Sequence, residues 1–284
     1  MHYFKKFHVE PGSKVDLSTI DASFKDHHES HQHALPEIET YRQKLADLQY
    51  LMYAENKRSL LICLQGRDAA GKDGTIKHVL GAMNPQGCTV TGFKVPTKEE
   101  AAHDFLWRYH RATPEKGQVA IFNRSHYEDV LVVRVHNLVP QEVWEQRYAH
   151  INHFEQQLAD SGTHILKFYL HIDPEEQLAR FKQRIDDPAR HWKISDNDYA
   201  ERPLWDEYTT AFEAALSQCS TPHAPWFIIP SNHKWFRNLA ISRIVIETLE
   251  ALNMKFPEPT VDINEIKQKY HQIVEKEHEE SAPQ

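Results

Sequence analysis

Residues 65–74 read QGRDAAGKDG, and the reading of this stretch decides the fold. Gly66, Gly71 and Lys72 keep the G-x-x-x-x-G-K spacing of a loop whose backbone N–H groups close around phosphate oxygens. The usual next residue is Ser or Thr, whose hydroxyl helps hold Mg²⁺; here Asp73 stands in its place, and Asp68 puts a second carboxylate inside the loop. Gly66, Ala69, Ala70, Gly71, Lys72, Asp73 and Gly74 are therefore candidate phosphate-binding residues, with Lys72 as the point charge. Bare carboxylates would repel phosphate. A hard cation resolves this, because Mg²⁺ (or Mn²⁺ in its place) takes one or two carboxylates together with phosphate oxygens. Asp68 is the preferred metal ligand. Asp73 either joins it or caps the helix that follows.

The context supports a phosphate loop over a chance glycine turn. The apolar run SLLICLQ (59–65) leads into it, and a helical pattern begins near Lys72. Four more apolar runs follow, each with a helix-like segment behind it: CTVTGFK (88–94), QVAIF (118–122), HILKFYLHI (164–172) and WFIIP (226–230). Near-continuous apolar strands alternating with helices predict an α/β fold, a parallel five-stranded sheet covered on both faces. Residues 36–56 carry Ile38, Tyr41, Leu45, Leu48 and Leu51 at helical spacing, with Pro36 at the start. Ser161-Gly162 closes one helix, and Asp173-Pro174-Glu175-Glu176 opens another. Residues 181–202 lose the apolar rhythm and concentrate cations, which predicts an exposed lid over an anionic ligand. A last helix is expected over about 233–253. The expected organisation is an irregular polar arm over 1–35, one domain over 36–255 and a charged tail over 256–284.

Composition sets the outer bounds. The chain has 284 residues, 40% apolar and 26% charged, with a formal net charge of −8. That suits a single α/β domain and offers no whole-molecule attraction to nucleic acid or an anionic membrane. Cys63, Cys88 and Cys219 are scattered and form no C-x-x-C pair, and no stretch approaches a membrane span. The expectation is a cytoplasmic protein with neither nucleic-acid nor membrane partner. The His-rich stretch DHHESHQH (26–33) reads as solvated histidines, since its spacing matches no metal site.

The third strand ends in FNRSHYEDV (122–130), the place where phosphate-loop proteins usually keep a metal-assisting carboxylate. Asn123 stands there, followed by Arg124, Glu128 and Asp129. Arg124 can grip two phosphate oxygens with its fork; the blander reading is an ion pair with Glu128 or Asp129. A polyanion would also need a cationic track, for which Lys72, Lys77, Arg124, Arg134, Arg180, Arg184, Arg190 and Lys193 are candidates. SNHKWFRN (231–238), after the last strand, is placed where a nucleobase contact would be sought.

GRDAAGKDGT, PTKEEAAHDFLWR (96–108), FNRSHYEDVLVVRVH (122–136) and RIDDPARHWKISDND (184–198) occur in an order and spacing that resemble the family-2 polyphosphate kinases. The resemblance runs from about residue 36 to 255, and Ser-His-Tyr-Glu-Asp resembles the class III branch, which acts on nucleoside mono- and diphosphates. It implies a thymidylate-kinase-like P-loop fold with a helical lid, and Mg²⁺ as cofactor. It implies Asp68 and Lys72 at the phosphate and metal site, Arg124 on phosphate, Glu128 as the acceptor-selecting residue and 181–198 as the lid. Asn123 departs from branches that carry Asp there. Arg184 and Lys193 are the preferred lid cations because they fall inside these motifs. Relatives are oligomeric, which implies a homo-oligomer.

The function implied is transfer of the terminal phosphoryl of inorganic polyphosphate to a nucleoside mono- or diphosphate, with Asp68, Lys72, Arg124 and Glu128 as the catalytic set. An acceptor phosphate is already ionised near neutral pH, so no general base is required. Two alternatives share the loop: an ATP-dependent nucleoside or nucleotide kinase, and a non-catalytic nucleotide-binding module.

Overall fold

A computed structural model describes residues 3–27 and 30–280. The five apolar runs become β1 (Ser59–Gln65), β2 (Cys88–Gly92), β3 (Val119–Asn123), β4 (Thr163–His171) and β5 (Trp226–Pro230). They form one parallel sheet in the order β2-β3-β1-β4-β5. β1 and β5 are buried along their whole length, which is why their sequences run apolar without alternation. β2 is an edge strand and half exposed, and its pairing stops at Gly92, short of the expected Lys94.

Chain order reverses at β1, which lies between β3 and β4. In open α/β sheets the crevice beyond the carboxyl ends of the strands at such a reversal is where ligands bind. Leu64 pairs with Asn123 and Gln65 with Tyr169, so the glycine loop after β1 and the FNRSHYEDV turn after β3 leave the sheet side by side.

The main helices are α1 (His31–Glu55), α2 (Lys72–His78), α3 (Gln141–Asp160), α4 (Pro174–Asp186), α5 (Trp205–Cys219) and α6 (Lys234–Ala251). α1 and α6 pack together, and Leu45, Met52, Leu239 and Ile244 join the core with β1 and β4. Residues of α3 and α5, among them Ile151, Phe212 and Leu216, build a second apolar cluster with Tyr169 and Ile228. α4 opens as its sequence signalled: the Asp173 side chain accepts from Glu176 N at 2.7 Å.

α1 starts earlier than Pro36 suggested. Ser30 caps it through a bond from His33 N, and Ala34 N reaches Ser30 O at 3.3 Å, so Pro36 sits in the second turn. The expected helical lid comes in pieces. α4 continues to Asp186, and a 3₁₀ segment at Pro188–Lys193 and a short helix at Asp196–Ala200 follow.

The arm before α1 is also more ordered than its polarity predicted. Tyr3, Phe7, Val9 and Leu17 are buried. Val9 N donates to Trp226 O at 2.9 Å beside the β5 edge, and Leu17 N donates to Glu213 on α5 at 2.9 Å. Isolated apolar residues thus cover an edge that would otherwise expose unpaired backbone. His28 and Glu29 of the His-rich stretch lie outside the described residues. Among the described residues no group of His, Cys, Asp and Glu is arranged to hold a metal by itself, and no helix is long and apolar enough to cross a membrane.

Residues 255–284 form a separate unit. Its charged sequence is helical over Ile263–Glu280, with Ile266, Tyr270 and Ile273 exposed.

Candidate active site

The loop between β1 and α2 is held by its carbonyls. Lys72 Nζ donates to Gly66 O at 2.6 Å and Arg67 O at 3.3 Å. Gln177 on α4 takes Asp68 O at 3.0 Å. Arg180, one turn on, takes Ala69 O at 2.7 Å and Ala70 O at 2.9 Å, and Arg237 on α6 adds a bond to Ala70 O at 3.1 Å. Five successive carbonyls are thus engaged by side-chain donors. The conformation needs a small residue at Gly71, whose φ is +109°, while Ala69 tolerates +62°. Burial lowers the Lys72 pKa, Arg124 lowers it further, and Asp68, Glu128 and Asp73 oppose them.

Arg124 sits at the turn after β3 with φ +63° and N donating to Leu64 O. Its Nη2 donates to Asp68 Oδ1 at 3.1 Å, and Nη1 lies 3.8 Å from Glu128 Oε2. Burial works against its charge, but Glu128 and Asp68 outweigh burial and raise its pKa. The ion-pair reading was half right: Glu128 is a partner and Asp68 is the other. Asp129 faces elsewhere, accepting from Tyr109 Oη at 2.9 Å and Arg147 at 3.1 Å. Burial raises the Glu128 pKa against the pull of Arg124 and Lys72.

Asp73 does not cap α2. Its Oδ1 accepts from Asn123 Nδ2 at 2.9 Å, and the N-cap, Gly71, has no side chain to offer. Beneath the turn lies a fully buried polar cluster. Lys167 Nζ donates to Glu155 Oε2 at 2.6 Å and to Tyr127 Oη at 2.8 Å, while His126 Nε2 and Tyr127 Oη both bond Glu155 Oε1 at 2.9 Å. It anchors the two residues immediately before Glu128.

Two cavities meet at the loop. One, of about 510 Å³, is lined by Ala69 and Gly71 of the loop, by Gly74 in the first turn of α2 and by Arg180, Arg184, Arg190, Lys193, Lys234 and Arg237, with no carboxylate among its lining residues. The other, of about 280 Å³, is lined by Gly66, Arg67 and Asp68, by Arg124 and Glu128, and by Glu201, Arg202, Trp205 and Tyr208. Arg67 stacks on Trp205 at 3.7 Å and donates to its carbonyl at 2.7 Å, fixing the aromatic wall to the loop.

The structure thus gathers Asp68, Lys72, Arg124 and Glu128 in one place, with Arg184 and Lys193 in the neighbouring cationic cavity. Arg184 Nη1 donates to the Lys193 backbone carbonyl at 2.9 Å and lies 3.6 Å from Asp198 Oδ2. Two members of the expected cationic track have other work. Arg180 is 4% exposed and spent on loop and β5-end carbonyls. Arg134 donates to Tyr148 and lies over Trp144, away from the site. The segment 231–238 does not line the aromatic cavity; Lys234, Trp235 and Arg237 line the cationic one. Arg237 and Gln177 were missed, since only the fold brings them to the loop; Arg67 lies in the loop, but only the fold sets its guanidinium against Trp205.

Residues 27–257 match the family described as Polyphosphate kinase 2 (PPK2). The chain belongs to the polyphosphate kinase 2 family. It is 49% identical over 256 residues to an AMP/ADP-polyphosphate phosphotransferase of Meiothermus ruber, covering 90% of this chain and 96% of the relative. It is 44% identical over 268 residues to an ADP-polyphosphate phosphotransferase of Rhodopseudomonas palustris, covering 90% and 93%. The crystal structure of polyphosphate kinase 2 from Arthrobacter aurescens TC1 superposes with a TM-score of 0.92 at 38% identity, covering 96% of this chain and 97% of that one. The expected P-loop kinase fold and polyphosphate-dependent nucleotide phosphorylation are both borne out.

Proposed function

We propose that the enzyme transfers the terminal phosphoryl of polyphosphate to AMP and ADP, with the donor in the cationic cavity and the acceptor in the aromatic one. The observation that carries this reading is the contrast between two cavities that share one loop. One has six cationic residues and no carboxylate, which suits a long polyanion. The other has an aromatic wall for a base and a mixed-charge floor for phosphate.

In the transfer, the phosphoanhydride bond to the terminal phosphoryl breaks, its electrons stay with the shortened chain, and an acceptor phosphate oxygen bonds to phosphorus. Lys72 and the loop N–H groups stabilise charge on the moving group, and Arg124 positions oxygens between donor and acceptor. A divalent metal fits the donor set: Asp68 gives Oδ1 to Arg124, and Oδ2 takes no bond among the described residues. Asp68 would hold Mg²⁺ or Mn²⁺, with Asp73 and Glu128 close enough to the loop to feel its charge, and phosphates and water would complete the shell. Such a cation neutralises phosphate charge and draws donor and acceptor oxygens together.

The test is ADP, polyphosphate and Mg²⁺ with no ATP present. Appearance of ATP supports the reading. Phosphorylation that needs ATP as donor would make the protein an ordinary nucleotide kinase instead.

A further inference from the structure

Arg180 and Arg237 meet at the Ala70 carbonyl, both almost fully buried, yet only one of them has a counter-charge. Arg180 Nε donates to Glu176 Oε1 at 2.6 Å. Arg237 is 2% exposed and bonds only neutral acceptors, Ala70 O and the Asn238 side chain; no carboxylate lies within ion-pair distance among the described residues. Burial, and then Arg180, push its pKa down to about 9. A buried guanidinium beside another cation is costly unless something pays it back. Arg237 is not needed to hold the loop, since Ala70 O keeps its bond from Arg180 at 2.9 Å and Asn238 is partly exposed. Its guanidinium does line the carboxylate-free cavity.

We infer that Arg237 is a binding residue for the condensed-phosphate chain, carried at a cost to the stability of the free enzyme. This rests on the cationic cavity being the donor site. A phosphate group supplies the missing counter-charge, so donor binding relieves a repulsion between Arg180 and Arg237 as well as adding contacts. Methionine at 237 would fill much of the same volume without the charge.

The experiment compares wild type, Arg237→Met, Arg237→Lys and Lys193→Glu by thermal unfolding, with and without tripolyphosphate, and by steady-state kinetics with polyphosphate. Free Arg237→Met should melt at or above the wild-type temperature, lose most of the tripolyphosphate-dependent rise, and show a polyphosphate KM raised about tenfold or more with the AMP KM unchanged. Arg237→Lys should keep part of the rise. Failure of Arg237→Met to fold, or a lower melting temperature with normal donor KM, would make Arg237 a structural residue and overturn the inference. If Lys193→Glu raises donor KM while Arg237→Met does not, the cavity assignment survives and the role of Arg237 falls. If neither variant changes donor KM, the cavity assignment itself is wrong.

Discussion

Arg124 Nη2 lies 3.1 Å from Asp68 Oδ1, so a strand-end arginine and a loop carboxylate from different motifs share one charge pair in the lining of the aromatic cavity. Each neutralises the other when the site is empty of phosphate and metal. A phosphate arriving at Arg124 and a cation arriving at Asp68 would split the pair between them. Asp68→Asn should therefore lower turnover on the order of 10²-fold and raise the Mg²⁺ needed for half-activity. Asp73→Asn should do far less, because Asn can keep a bond to Asn123. A Mg²⁺ titration of both variants checks this, and a dead Asp73→Asn beside an active Asp68→Asn would reverse the assignment.

Lys72 is fastened to two loop carbonyls, so its removal takes away both a charge and a brace. Lys72→Ala should cut kcat on the order of 10²-fold or more while the protein stays folded by circular dichroism. Near-normal turnover would exclude the loop from the transfer step.

Glu128 approaches Arg124 at 3.8 Å and lines the aromatic cavity with it. A carboxylate there would favour the acceptor that brings fewer oxygens of its own for a shared cation. Glu128→Gln should depress kcat/KM for AMP about tenfold more than for ADP. An equal loss with both acceptors would mean that Glu128 merely orients Arg124.

The Glu155–Lys167 pair is fully buried, so breaking it should be severe. Glu155→Gln strands the Lys167 charge and should cost about 3–5 kcal/mol by urea unfolding at pH 7. Burial alone would raise the Glu155 carboxyl, but Lys167 and His126 outweigh it and hold its pKa below the ordinary 4.5. A depressed carboxylate contributes stability above its unfolded pKa and loses it as pH falls through the folded value. Acid should therefore weaken the wild type below about pH 4.5 more steeply than a Glu155→Leu/Lys167→Met double variant. Identical acid profiles would remove the pair from the pH response.

Sequence legibility followed the range of the forces involved. β1 and β5 could be read because burial on both faces writes a continuous apolar run. The loop could be read because its spacing is local, and Arg124 and Glu128 because a strand end beside such a loop has a known use. Lys167 carried a signal that went unused: a lysine in the middle of HILKFYLHI demands a buried partner. Tyr3, Phe7 and Val9 carried none, since single apolar residues opposite an edge have no period. Arg180 read as a member of the cationic track because only the tertiary approach of α4 to the loop shows its carbonyl targets. Asp73 stayed open between a metal ligand and a cap because the nearby helix was visible while its partner Asn123 was fifty residues away.

Gly74 lies on α2 and has an ordinary helical backbone, yet a Cβ there would stand 3.0 Å from Arg237 Nη2, and one at Gly71 only 1.8 Å from Arg237 Nη1. The two glycines and the distant arginine therefore form an epistatic group. Alanine at 74 should be accepted more readily, with the helix gaining about 1 kcal/mol that glycine withholds, in a background where position 237 has already shrunk. A substitution scan of residues 65–74 in one background would then score at position 74 an intolerance that belongs in part to α6.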